Sequence, residues 1–108
     1  MKATSLGDFE ELILMTVLIA GDEAYAVSVK RDLEARLSRK INISAIHTAL
    51  YRLEEKGFLS SYMGGATSAR GGRRRRFFRG TPEGIKALEY LKGLREDMYK
   101  LIPSLSHG

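Results

Sequence analysis

The chain has no cysteine and no tryptophan, and only two prolines and two histidines among its 108 residues. Without cysteine there are no disulfides and no thiolate metal sites, a usage that fits a reducing cytoplasm. Long hydrophobic runs are also missing. The longest mainly apolar stretch, Leu12 to Ala20, is far too short to span a bilayer. Asp8, Glu10 and Glu11 precede it, where a signal peptide would carry positive charge, so it reads as a buried helix and no membrane partner is expected. Two histidines, no cysteine and no glycine-rich phosphate loop after a strand leave no nucleophile–base pair and no metal constellation. The chain is therefore not expected to be an enzyme, and no cofactor or metal is expected.

What is present is positive charge, concentrated in one place. From Arg70 to Arg79 the sequence reads RGGRRRRFFR, six arginines broken only by two glycines and two phenylalanines. The net charge of +5 comes from 18 Lys and Arg against 13 Asp and Glu; without these six arginines, twelve cations face those 13 acids. The body is near neutral and carries one cationic element, the electrostatic footprint of a protein that binds a polyanion.

The remaining pattern gives that element a setting. Asp8 to Ala20 reads as a helix ended by Gly21-Asp22, with apolar positions over most of its circumference. Such a helix is either central to a core or shared with a partner. Ala24 to Leu37 reads as a second helix with Tyr25, Val29 and Leu33 on one stripe, followed by the polar break Ser38-Arg39-Lys40. The third helix takes Asn42 or Ser44 as its N-cap, buries Ile46, Ala49, Leu50 and Leu53, and ends at Gly57, where a left-handed residue belongs. Phe58 to Met63 and Arg75 to Arg79 read as the strands of a hairpin joined by the Gly/Ser/Ala loop Gly64 to Gly72. Thr81-Pro82-Glu83 starts a last helix, which Pro103 should end or kink. Its seam, Gly84, Ala87, Leu91, Leu94, Met98 and Leu101, is heptad-like, and Ile85, Leu88 and Ile102 form an adjacent stripe. Two stripes need two surfaces to pack on, the body and a second copy of the chain.

Three helices, a hairpin and a further helix are the order of a winged helix-turn-helix with a C-terminal dimerisation helix, a mainly α (α+β) fold. Residues 1–80 would form the DNA-binding unit, with the wing at about 58–80, and residues 81–108 the dimerisation helix and tail. A helix fits the major groove of duplex DNA, and a hairpin beside it reaches phosphates or an adjacent groove. The exposed face of the third helix, Ser44, Ala45, His47, Thr48, Tyr51 and Arg52, is the candidate base-reading surface. Two of these have a rival role: Tyr51 packing on the wing, and Arg52 pairing with Glu55 or Glu34. His47 has no second ligand one helical turn away, so it reads as a groove-facing polar residue rather than a metal site. In the wing, Arg70, Arg73 and Arg74 near the tip are the first candidates for phosphate contact, followed by Arg75 and Arg76. Strand alternation puts Arg74, Arg76 and Phe78 on one face and Arg75, Phe77 and Arg79 on the other, so some arginine stems must lie along the body.

The stretch ISAIHTALYRLEEKGFLSS followed by GGRRRRFFRGTPEGIKAL resembles the PadR-like transcriptional regulators. Their pattern there has an Arg-Leu-Glu-x-x-Gly turn and then Gly-Gly-Arg-Arg-x-Tyr-Tyr-Arg-Leu-Thr-x-x-Gly. The opening LGDFEELILMTVLIAGDEAYAVSVKRDLE is similar to their first two helices, so that the likeness covers roughly residues 6 to 92. The resemblance implies a homodimeric repressor on a pseudo-palindromic promoter operator. It also implies dimer contacts from the first and last helices, here Phe9, Leu12 and Ile13 with Ala87, Leu91, Leu94, Met98 and Leu101. It implies a possible small-molecule effector as well; some members stack a planar drug on a tryptophan of the last helix, near where this chain has Arg95. Three residues depart from the pattern: His47 stands for a tyrosine, Phe77-Phe78 for Tyr-Tyr, and Gly80 for a leucine. An RNA-binding winged helix and a protein-interaction adaptor are the alternative readings of the same order of elements.

Overall fold

The computed structural model describes residues 5–64 and 74–104. Helices α1 (Asp8–Ala20), α2 (Ala26–Leu37) and α3 (Ile43–Glu55) are followed by the antiparallel strands β1 (Leu59–Gly64) and β2 (Arg75–Gly80), then by α4 (Pro82–Leu101). The register sets Leu59 opposite Gly80, Ser61 opposite Phe78 and Tyr62 opposite Phe77. Among the described residues no helix is long and apolar enough to cross a membrane, and no cluster of acids and histidines could hold a metal.

The core sits where α1, α2 and α3 meet the base of the hairpin. Ile13, Leu14 and Val17 of α1 pack with Val29 and Leu33 of α2, Ile46, Leu50 and Leu53 of α3, and Phe58, Leu59 and Phe78. Helix α1 is thus central to the core. Ile13, expected at the dimer surface, is 0% exposed in the single chain and cannot touch a partner. On a helix apolar nearly all round, periodicity does not say which side the body takes. Phe9 and Leu12 are half-buried against the same core, while Met15 and Ile19 are exposed.

The second helix starts later than its apolar stripe implies. Gly21–Glu23 form a single 3-10 turn, and Ala24 bridges to Phe78, whose N–H donates to the Ala24 carbonyl at 2.8 Å. Tyr25 is the N-cap; its N–H donates to Ser28 Oγ at 3.0 Å. The helix cannot begin at Ala24 because that residue serves as a one-residue third strand beside β2. At the other end Ser38 takes the left-handed conformation, φ 55°, and its N–H caps the Glu34 carbonyl at 2.8 Å. Asn42 is the N-cap of α3, accepting from the Ser44 N–H at 2.8 Å and the Ser44 hydroxyl at 2.6 Å. Gly57, at φ 82°, turns the chain out of α3 as its position implies.

Two acids of the first turn of α1 are buried, which the sequence pattern does not show. Glu10 accepts from Lys56 Nζ at 2.7 Å and from the Gly7 N–H at 3.0 Å, and Lys56 also donates to the Ser5 carbonyl at 2.8 Å. Burial pushes the Glu10 carboxyl up; the bonds from Lys56 and Gly7, with the charges of Lys56 and Arg52, outweigh it and hold it below the usual carboxylate range. The unfolded chain then takes its proton first, so this contribution to stability is present above the ordinary carboxylate pKa and is lost as pH falls. Urea-unfolding curves should therefore show wild-type stability dropping from about pH 5 downward, and Glu10→Gln should show a shallower drop. An equal acid dependence in the two proteins would count against this pair.

Candidate nucleic-acid interface

The predicted reading face of α3 is one surface. Ser44, Ala45, His47, Thr48, Tyr51 and Arg52 are all exposed, while Ile46, Ala49, Leu50 and Leu53 are buried beneath them. The Asn42 cap holds the leading turn, so the backbone of Ser44 is fixed at the helix start. His47 stacks on Tyr51 at 6.0 Å and 23°, and Tyr51 leans on Phe78 at 6.4 Å and 55°. Tyr51 therefore packs on the base of the wing while keeping part of its ring in solvent.

Arg52 is not paired in the way its neighbours allow. Glu34 is occupied by Lys30 at 2.9 Å and by the Ile41 N–H at 2.8 Å. Those bonds, the Ile41 amide first and Lys30 second, hold its carboxyl below the usual range. Among the described residues Arg52 forms no ion pair with Glu34 or Glu55. It lines a groove with Asn42, Ser44, Ala45 and Thr48 on one side and Gly7, Asp8 and Phe9 on the other.

The wing divides its arginines by face, as strand alternation requires. Phe78, 2% exposed, enters the core; Phe77 faces the other way, stacked on Tyr62 at 5.5 Å and edge-on to Tyr25 at 5.9 Å. Arg75 lies over the Tyr25 ring at 4.3 Å and Arg79 over the Tyr62 ring at 4.6 Å, a cation–π arrangement on each side of Phe77. Arg79 also approaches Asp22 at 3.6 Å, and the Tyr62 hydroxyl donates to the Asp22 carbonyl at 2.8 Å. On the Phe78 side, Arg76 donates to Ser61 Oγ at 2.8 Å, and Ser61 donates to Glu54 at the end of α3 at 2.6 Å. Arg74 is exposed and, among the described residues, engaged by no ion pair, ring or side-chain hydrogen bond. Arg70 and Arg73, with most of the Gly64–Gly72 loop, lie outside the described residues.

Of the holders of the wing arginines, Tyr62, Asp22 and Ser61 are not among the candidate site residues of the sequence, and Tyr25 is read there only as part of an apolar helix stripe. Tyr62 is the findable one. Pairing the two strands in register puts it opposite Phe77, where an aromatic pair stabilises a sheet. Tyr25 and Asp22 come from another element and need the tertiary fold.

The departures at 78 and 80 have physical reasons. A tyrosine at 78 would carry its hydroxyl into an apolar core. A Cβ at Gly80 would run into the side chain of Leu18, because α1 crosses close to the end of β2. The first turn of α4 is tighter still, because its neighbour there is backbone, which cannot rotate away as the Leu18 side chain can. Thr81 caps it, accepting from the Gly84 N–H at 3.0 Å and donating to the Gly57 carbonyl at 2.7 Å. The Thr81 N–H donates to the Phe58 carbonyl at 3.1 Å, and Gly84 is buried against that same carbonyl. Further along α4, Ala87 and Leu91 are half-buried, whereas Leu94, Met98 and Leu101 are exposed, Leu101 at 80%.

No family model matches the chain, and no curated protein does. Solved structures do. A transcriptional regulator from Clostridium thermocellum is 29% identical, with 88% of this chain and 89% of that one covered at a TM-score of 0.68. A PadR-like transcription factor from Bacteroides fragilis is 18% identical over 89% and 87%, with a TM-score of 0.74. A PadR-like transcriptional regulator from Bacillus cereus is 20% identical over 93% and 92%, with a TM-score of 0.70.

Proposed function

We propose, from a chain whose fold is that of the PadR-like winged-helix regulators, that it is a homodimeric, sequence-specific DNA-binding transcription regulator acting as a repressor. The observation that carries this is the exposed face of α3, from Ser44 to Arg52, beside a hairpin rich in arginine. The face is polar where a helix enters the major groove, and it is flanked by cations where phosphates run. Each subunit places α3 in one half-site, with Thr48 and His47 toward base edges. Arg74, with Arg70 and Arg73 of the same wing, clamps the flanking backbone. Arg75 and Arg76, held by Tyr25 and Ser61, stiffen the wing and present the remaining part of their guanidinium groups.

The second copy docks on α4, along the exposed part of the seam at Leu94, Met98 and Leu101, with Ala87, Leu91, Phe9 and Leu12 at its margin. A two-fold dimer reads a near-palindromic operator with half-sites about 34 Å apart, or a multiple of that. Repression follows from competition for promoter DNA in the cytoplasm. A small-molecule effector would relieve it by binding one relative orientation of the subunits better than the other, shifting the balance only by that difference.

Selection of bound duplexes from a random DNA library tests the reading and yields the site. A two-fold symmetric consensus is the expected result; tighter binding of RNA at the same salt overturns it. An affinity for DNA that is flat in salt would favour a protein adaptor instead. On the selected site, Thr48→Ala and His47→Ala should each change preference at one or two positions by about 1–3 kcal/mol and leave the salt dependence alone.

A further inference from the structure

Helix α4 touches the body at two fixed points. The first is its opening turn, where Gly84 sits on the Phe58 carbonyl and leaves no room for a side-chain carbon. The second lies three turns on. There the Arg95 guanidinium reaches α1 and meets Glu11, with Nη1 2.9 Å from Oε1 and 3.0 Å from Oε2, while Nη2 lies 3.7 Å from Asp8. Glu11 is buried at 9% exposure, while the Arg95 side chain is 47% exposed, so the pair sits at the edge of the contact with one end held in the body. Between the two points Ala87 and Leu88 pack against the core, and Leu91 is half-buried. Beyond Arg95 the helix is exposed, with Met98 at 56%.

Two points about 16 Å apart define the direction of a rod. We propose that Arg95 is a positioning residue: clasped by Glu11, it fixes the direction of α4 against the DNA-binding body and so sets the half-site spacing that a dimer accepts. Leverage makes this consequential. A swing of about 10° around the first turn carries the far end of a 20-residue helix about 5 Å, more than the roughly 3.4 Å rise of one base pair. Without the clasp the contacts that remain, Gly84, Ala87 and Leu88, all lie in the first two turns of the helix. The spacing consequence rests on the dimeric DNA-binding reading; the clasp itself does not.

The absence of cysteine allows a direct test. Nitroxide labels on Glu55→Cys in α3 and Lys100→Cys in α4, diluted into unlabelled protein, report their distance within one chain by electron–electron dipolar spectroscopy. Wild type should give one narrow distance distribution. Arg95→Met, which keeps the aliphatic stem, should broaden it at least twofold. The double variant Glu11→Gln, Arg95→Met, which leaves no unpaired carboxylate, should broaden it equally. On selected DNA with spacers lengthened or shortened by one and two base pairs, wild type should lose more than tenfold in affinity per misplaced pair and Arg95→Met less than threefold. A distribution and a spacing preference unchanged in both variants overturn the proposal. A narrow wild-type distribution that broadens in the variants, with no spacing preference even in wild type, supports the clasp and overturns the dimeric reading instead.

Discussion

Replacing Gly84 with alanine lowers the melting temperature by about 10 °C, whereas the same replacement at Gly93 of the same helix raises it. Both changes gain about 1 kcal/mol of helix propensity, because glycine loses more backbone entropy than alanine. At Gly93 nothing lies within 4 Å of the added carbon, so the gain stands. At Gly84 the added carbon strikes the carbonyl oxygen of Phe58, with the carbonyl carbon 3.2 Å away. That carbonyl cannot turn aside, since it accepts the Thr81 N–H at 3.1 Å and belongs to the turn that closes α3. Overpacking of this kind costs about 1–3 kcal/mol or more, and the net loss should be about 2 kcal/mol. For a domain of this size each kcal/mol is about 4–8 °C. Thermal melts followed by circular dichroism decide it, and two shifts of the same sign would show that α4 is not seated on Phe58.

The second large effect is on DNA. Arg73→Ala with Arg74→Ala should weaken binding to every sequence about a hundredfold, since each charge-assisted hydrogen bond to a phosphate is worth about tenfold in affinity. The slope of log affinity against log salt should flatten by about two. Stability should barely change, because Arg74 is exposed and pairs with no group of the body among the described residues. Arg79→Ala is the informative comparison. Its guanidinium is already committed to Tyr62 and Asp22, so its removal should cost DNA binding far less. Equal losses in the two proteins would show that the aromatic holders do not divide the arginines by role. Fluorescence anisotropy at four or five salt concentrations measures both quantities.

How legible the molecule is in its sequence follows from the range of each interaction. The caps are legible, because a cap is a bond between residues two or three apart: Asn42 to Ser44, and Thr81 to Gly84. Strand alternation is legible for the same reason, and it places Phe77 and Phe78 on opposite faces. The exposed face of α3 can be read because burial of Ile46, Leu50 and Leu53 leaves the other positions no choice. The start of α2 differs from its sequence pattern, because Ala24, a residue with good helical surroundings, is taken by Phe78 from 54 positions on. The dimer surface expected at Ile13 is instead core, because its helix is apolar on nearly every side and periodicity cannot choose among them.

The sequence by itself therefore determined the order of elements, the position of the basic hairpin and the face of α3 left exposed, since each rests on local periodicity and local hydrogen bonds. The tertiary structure alone decided which charges have partners. Glu10 finds Lys56 46 residues away and Glu11 finds Arg95 84 residues away. Arg75 finds Tyr25 and Arg79 finds Asp22 across elements. A charge carries no mark of its partner in its own stretch of chain. Only the packing of the elements against one another brings such groups within reach, and for the buried Glu10 and Glu11 burial then makes a partner necessary.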